Sequence, residues 1–217
     1  MNSESIAFSG AILIVITASF ILIINDWRAI VSLLAVQFLG TFIMIGQEWP
    51  LAMSLSHLVA GWIAGAVLGM AMLSLPSQAR MTEDTEQVSE GKNRYARRFH
   101  LSSGQAPNII FIMLAIFVVS LAVFSQIPQL SIWLPGLSLI HSWGGLILIG
   151  LALLHLGFYS EPLRVTVGLL TLFSGFLILY AAVNITTLTA ALSATITLGI
   201  ALSGAYLFLA PHMEPGE

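Results

Sequence analysis

The sequence predicts an all-α fold, a polytopic bundle of seven transmembrane helices, and three observations predict it. Hydrophobic residues make up 58% of the 217-residue chain and charged residues only 8%, where soluble domains carry roughly one quarter charged. The mean hydropathy is +0.96. The apolar residues fall in seven continuous runs rather than alternating with polar ones. Continuous runs suit helices, because a backbone in lipid satisfies its hydrogen bonds within the segment, whereas barrel strands alternate.

In chain order the predicted spans cover about 6–25, 29–46, 51–75, 108–126, 137–158, 163–183 and 186–210. Each is long enough, or nearly so, to cross the roughly 30 Å of hydrocarbon. The first is expected to be retained as a helix, since Met1 to Ser9 carry Glu4 and no basic residue, unlike the positive leading segment of a secretory signal. The second opens beside Arg28. The third carries Gly61, Gly65 and Gly69 at four-residue spacing, a flat strip that lets another helix approach closely, within this chain or in a neighbouring subunit. A long loop, 76–107, precedes the fourth span. The fifth carries His141 and His155, the sixth opens at Leu163-Arg164, and the seventh closes the bundle. The chain thus divides into helices 1–3 (1–75), a loop (76–107), helix 4 (108–126) and helices 5–7 (127–217).

Orientation follows from the basic residues. With the N-terminal side named A and the other B, Arg28 falls in the first turn, Arg80, Lys92, Arg94, Arg97 and Arg98 in the long loop, and Arg164 in the turn before helix 6. All of these land on side B, which the positive-inside rule makes the cytoplasm. The expected location is a bacterial inner membrane or an equivalent energy-transducing membrane, with the N-terminus outside and the loop and C-terminus cytoplasmic. Trp49 and Trp133 fall at side A boundaries and Trp27 at side B, as amphipathic rings do at headgroup level. The loop is acidic first and basic second, with Tyr95 and Phe99 among its basic residues. It reads as a solvated connector, or alternatively as a segment lying on anionic headgroups.

Helices 1–3 and 5–7 have equivalent orientations, and an offset of 136 residues lays Arg28 on Arg164, Val31 on Val167, Leu33 on Leu169 and Leu34 on Leu170. A 3+1+3 parallel repeat is the corresponding expectation.

The chain offers little chemistry of its own. It has no cysteine, which removes thiolate-ligated iron–sulfur clusters, cysteine zinc sites and internal disulfides. No Asp, Glu, Lys or Arg falls in the middle of a predicted span, where proton pumps keep ionisable groups. Asp26, Arg28, Glu48, Glu161 and Arg164 sit at interfaces, where Asp26 with Arg28 and Glu161 with Arg164 can pair locally. His141 and His155 stand on one helix roughly 21 Å apart along its axis and about 40° apart around it, a geometry that suits axial ligation of two stacked haems. Only His57 on helix 3, and Met70 as a weaker ligand, offer partners. The preferred reading makes all three histidines helix-end polar residues bonded to neighbours. Ser32, Gln37, Thr41, Thr171, Ser174 and Asn184 add modest polarity suited to interhelical hydrogen bonds.

Two segments carry a family resemblance. Trp27-Arg28 through Ala35 and Gln37 resembles the pattern aromatic-Arg-(six residues)-Ala-x-Gln near the start of hydrogenase-4 component E, a membrane subunit related to the K-type subunit of respiratory complex I. Leu163-Arg164-Val-Thr-Val-Gly168 through Phe173-Ser174-Gly175 is similar to that family's Leu-Arg-x-x-x-Gly-x-x-x-x-Glu-Asn-Gly. The resemblance implies a membrane subunit of a redox complex that works beside antiporter-like pump subunits and redox subunits. Phe173 departs from it, since the family places a membrane glutamate there, and Ser174 replaces the neighbouring amide. A chain with this departure keeps the scaffold without the proton site.

The expected function is therefore a non-catalytic membrane subunit of an ion-translocating complex I-like or hydrogenase-4-type assembly, with no catalytic residue, no metal site and no cofactor of its own. Other membrane subunits and lipid, not nucleic acid, are its expected partners. Two alternatives accompany this reading. One is a b-type cytochrome using His57, His141 and His155. The other is a small-molecule permease, for which Gly144-Gly145 would mark a broken helix.

Overall fold

In the computed structural model, described for residues 3–74, 109–133, 138–183 and 185–210, the chain forms α1 (Ser3–Ile23), α2 (Trp27–Ile45), α3 (Leu51–Ser74), α4 (Ile109–Trp133), α5 (Leu139–Phe158), α6 (Pro162–Ala181) and α7 (Thr187–Leu209). All seven are long and apolar enough to cross a membrane, and the described residues contain no strand. The long loop 76–107, Asn184 and the side chain of Trp133 lie outside the described residues.

The helices begin and end where local chemistry dictates. Asp26 caps α2 and Ser138 caps α5, each accepting a backbone N–H that the first turn leaves unbonded. Pro162 stands in the first turn of α6, where its missing N–H costs nothing. The fourth helix runs seven residues beyond the expected end at 126 and carries Pro128 inside it. A proline interrupts one helical hydrogen bond, but the surrounding apolar run and the absence of competing water keep the helix intact.

The helices pack as two facing rows. In one row α1 packs on α2 and α2 on α3; in the other α5 packs on α6 and α6 on α7. Across the rows α1 faces α5, α2 faces α6 and α3 faces α7. The fourth helix lies on the outside of α5 and touches α1 at its edge. Phe111 at the start of α4 meets Phe158 at the end of α5 with ring centroids 5.6 Å apart, so these two run antiparallel.

Close backbone approach sets the first crossing in each row. A Cβ on Gly40 would lie 2.6 Å from Ile14 Cγ2 and 3.3 Å from the Gly10 carbonyl oxygen. The matching crossing in the second row pairs Gly145 with Gly175, where a Cβ on Gly175 would lie 3.0 Å from the Gly145 oxygen. The two glycine pairs are related by the offset that aligns Arg28 with Arg164, to within one residue. Small residues are what allow dispersion packing to hold helices together when lipid offers no hydrophobic driving force.

Two apolar clusters fill the interior. One joins α1, α5 and the side A ends of α2 and α6 through Ile14, Leu22, Met44, Leu148 and Ile178. The other joins α2, α3, α6 and α7 through Leu34, Leu68, Val167 and Ala201.

Candidate functional site

The polar groups that the bundle buries concentrate at the seam between the two rows, and they join it at three depths. On side B the joint is built from the α5–α6 turn. Arg164, only 2% exposed, donates from Nη2 to the Ile24 carbonyl at 3.2 Å and to Asn25 Oδ1 at 2.8 Å. Its Nε donates to Glu161 Oε2 at 3.1 Å, and its guanidinium lies 4.1 Å from the centre of the Tyr159 ring. The Tyr159 hydroxyl donates to the Leu22 carbonyl at 2.7 Å. Leu22 and Ile24 end α1, where helical carbonyls have no partner of their own. Side chains from the other row supply the missing donors.

At mid-membrane Gln37 Nε2 on α2 donates to Thr171 Oγ1 on α6 at 3.1 Å. On side A His141, at the start of α5, donates from Nε2 to the Met44 carbonyl at 3.0 Å and accepts the Ser138 hydroxyl at Nδ1 over 2.9 Å. Trp49 Nε1 donates to the Ala181 carbonyl at 3.1 Å. Here the second row supplies a donor to the end of α2, and the first row supplies one to the end of α6. Glu48 stands 3.9 Å from His141 Nε2 at the same face.

These contacts fix the helix directions. The ends of α1 and α5 meet at side B, and the end of α2 meets the start of α5 at side A, so equivalent helices of the two rows run the same way.

The interface charges behave unequally. Glu161 pairs with Arg164 as expected. Asp26 instead accepts the backbone N–H of Arg28 at 3.0 Å, while the exposed Arg28 guanidinium lies 5.4 Å from the centre of the Trp27 ring. Ser32 turns back onto the Arg28 carbonyl.

The residues carrying the family pattern fall into two groups. Arg164, Gly168, Ser174, Gly175 and Gln37 are buried at helix contacts. A Cβ on Gly168 would meet Leu156 and His155 of α5, and Ser174 bonds the Leu170 carbonyl of its own helix. Leu163 belongs to the second apolar cluster, with Trp27 packed against it. Phe173 lies on the periphery instead. It is half-buried and stacks with the exposed Phe176, which in turn stacks with Tyr180.

The helix 3 glycines face α2. A Cβ on Gly61 would strike the Phe38 ring, and Gly65 and Gly69 look toward Val31 at 4.0 and 3.8 Å. The strip therefore serves packing inside this chain.

Of the three histidines only His141 has the helix-end partners expected of it. His57 and His155 are buried, and neither ring nitrogen of either has a hydrogen-bond partner among the described residues. The sequence reading of both as bonded helix-end residues fails, because His57 sits nearly two turns inside α3 and the His155 ring, in the last turn of α5, packs against Gly168 and the Tyr159 ring without a hydrogen bond to either. The three rings have different surroundings. The His155 ring carbon Cδ2 lies 3.1 Å from a Cβ position on Gly168, so that edge of the ring packs on α6. The His57 ring packs on Phe38, with centroids 5.3 Å apart, and Met70 points outward at 61% exposure. No group of three or more His, Asp or Glu side chains that could hold a metal ion occurs among the described residues. Gly144 and Gly145 sit within an unbroken α5.

Tyr159, Asn25 and Ser138 were not singled out in the sequence. Tyr159 adjoins the short turn between α5 and α6, and Ser138 stands immediately before α5, which are the signals that mark them. Comparison with protein-family models, with curated proteins and with solved structures finds no match to this chain.

Proposed function

We propose that this chain is a non-catalytic integral membrane subunit of an ion-translocating redox complex of the complex I-like or hydrogenase-4 type, holding antiporter-like and redox subunits in place. The observation that carries this reading is the stapled seam. Donors from the second row answer helix ends of the first at both membrane faces, Trp49 of the first row answers the end of α6 at side A, and Gln37 and Thr171 join the two pattern-bearing segments at mid-membrane. A bundle locked at both faces suits a scaffold. A rocking permease would break one face's bonds in every cycle, and unbonded carbonyls in a low-dielectric setting are expensive.

Two surfaces support the partner assignment. The fourth helix buries little of itself within this chain. An uncharged groove of about 620 Å³ opens between α6 and α7, lined by residues such as Leu169, Ile196, Gly199 and Ser203. Phe173 and Phe176 continue α6's outer face beyond it, so the position matching the family's glutamate is turned toward whatever lies alongside. Side B is assigned to the cytoplasm of a bacterial inner membrane or its equivalent.

Purification of the tagged full chain from its native membrane in mild detergent tests the proposal. Stoichiometric recovery of larger antiporter-like and redox subunits is the expected result. Recovery of a monodisperse chain with no partner overturns it. In the recovered complex, Arg164→Ala is expected to reduce the amount assembled more than the turnover of each assembled complex.

A further inference from the structure

The second apolar cluster encloses a polar half. On α2 the buried stripe places Gln37 and Thr41 one turn apart, and on α3 it places Ser54 and His57 likewise. The facing row repeats the arrangement with Thr171 and Ser174 on α6 and Ser193 and Thr197 on α7. None of these side chains is more than 4% exposed. At 1.5 Å per residue all of them lie within about 5 to 15 Å of the side A helix ends. Toward side B the same four stripes turn apolar at Leu34, Leu68, Val167 and Ala201.

The hydrogen-bonding state of this half is specific. The hydroxyls of Thr41, Ser54, Ser174, Ser193 and Thr197 all donate to carbonyls of their own helices, leaving oxygen lone pairs. Thr171 accepts from Gln37. Gln37 Oε1 and both ring nitrogens of His57 have no partner among the described residues. A neutral imidazole presents one donor and one acceptor, so the unanswered set is one N–H, one ring lone pair and one amide oxygen. A cation cannot answer the N–H, and an anion cannot answer the lone pairs. Water answers all three, since it donates and accepts. Burial of such groups without any partner is costly in a bundle surrounded by lipid.

We propose that water enters the α2/α3/α6/α7 interior from side A and solvates Gln37 and His57, forming an aqueous inlet that ends at the level of Leu34, Leu68 and Val167. The inlet opens to side A, the end nearer to His57 and Gln37, while at side B Arg164 is held in the joint through Nε and Nη2, with Nη1 lacking a partner among the described residues. The side A end of the inlet lies at the α2–α3 turn, where the buried Ser54 Oγ packs 3.5 Å from a Cβ position on Gly46. This inference stands on the bundle interior alone and is independent of the subunit assignment.

The chain's lack of cysteine makes the test direct. Ser54→Cys, Ser193→Cys and Thr197→Cys, with Leu34→Cys and Val167→Cys as controls, are each introduced into the full chain. The variants are reconstituted in phospholipid vesicles and exposed to a small water-soluble methanethiosulfonate. The reagent requires the thiolate, which forms only where water reaches, so the first three are expected to react at least about tenfold faster than the controls. Rates are expected to fall from Ser54→Cys to Thr197→Cys. Equal rates in the two sets overturn the inlet. Radiolytic hydroxyl footprinting of the unmodified chain gives a readout free of any folding defect. Oxidation of His57 at a dose that spares the buried Phe208 supports the inlet, and sparing of both overturns it.

Discussion

The two three-helix rows use one plan and load it differently. Arg28 and Arg164 open equivalent helices, yet Arg28 is exposed with its guanidinium over Trp27, whereas Arg164 is buried and bonded to α1, to Asn25 and to Glu161. The difference lies in what each faces. The end of α1 runs into the α5–α6 turn, which has Tyr159 and Arg164 to meet its last carbonyls. Among the described residues the Arg28 guanidinium bonds no helix-end carbonyl and lies over the Trp27 ring. The same residue type at the same helical position is thus a surface charge in one row and a tertiary bond in the other.

Paired substitutions should separate the rows most sharply at these arginines. Arg164→Ala removes charge-assisted bonds from a buried site and leaves the Ile24 carbonyl unanswered, and a loss of about 3 kcal/mol is expected. The half-exposed Glu161 keeps the cost below that of a fully buried broken pair. Arg28→Ala is expected to change stability by less than about 0.5 kcal/mol. Equilibrium unfolding of the purified chain in mixed detergent micelles measures both. Equal losses would show that the rows are stapled alike.

The glycine crossings give a smaller contrast. An alanine at Gly175 meets the Ile149 side chain at 2.9 Å and also two backbone atoms, the Gly145 oxygen and the Ile149 nitrogen, both at 3.0 Å. An alanine at Gly40 meets first the Ile14 side chain at 2.6 Å, with backbone no nearer than 3.3 Å. Side chains yield more easily than helix axes, so Gly175→Ala is expected to cost about 2 kcal/mol and Gly40→Ala about 1 kcal/mol in the same unfolding measurement. A reversed order would place the rigid crossing in the first row.

Within the side B joint, Tyr159→Phe isolates a single bond. The ring remains for the Arg164 guanidinium, while the Leu22 carbonyl loses its donor, and a loss of about 1 kcal/mol is expected. An amide I band for isotope-labelled Leu22 should shift in the variant, reporting the freed carbonyl. An unshifted band would mean that another group already serves it.

How much of this was legible in the sequence follows from the range of each contact. A hydrophobic run is a local property, and all seven helices could be read from it. The seam could not. Tyr159 reaches Leu22 across 137 residues and Trp49 reaches Ala181 across 132, and such pairs exist only once the rows face each other. The Gly61, Gly65 and Gly69 strip announced a close approach without naming α2 as its target. His57 was misread as a bonded helix-end residue although the helix begins at Leu51 as expected, because which groups meet its ring depends on the helices packed beside it and not on its place in the run. Pro128 shows the complementary limit, for a residue that ends helices in water lies inside one here.

The mid-membrane bond is expected to have the smallest effect, and it tests whether the rows are coupled where no charge helps. Gln37→Leu and Thr171→Val each remove one partner of the same hydrogen bond, so their separate effects mix that bond with changes in packing and in the solvation of Gln37 Oε1. The double variant cancels those private terms, leaving the coupling between the two sites. Interhelical polar bonds in membrane bundles average about 0.6 kcal/mol by this measure, and a value near that is expected here. A coupling indistinguishable from zero would confine the attachment of the rows to the two membrane faces, where Arg164, Tyr159, His141 and Trp49 act. A coupling above about 1.5 kcal/mol would make the centre the stronger joint and reverse the order in which the contacts release as the chain unfolds.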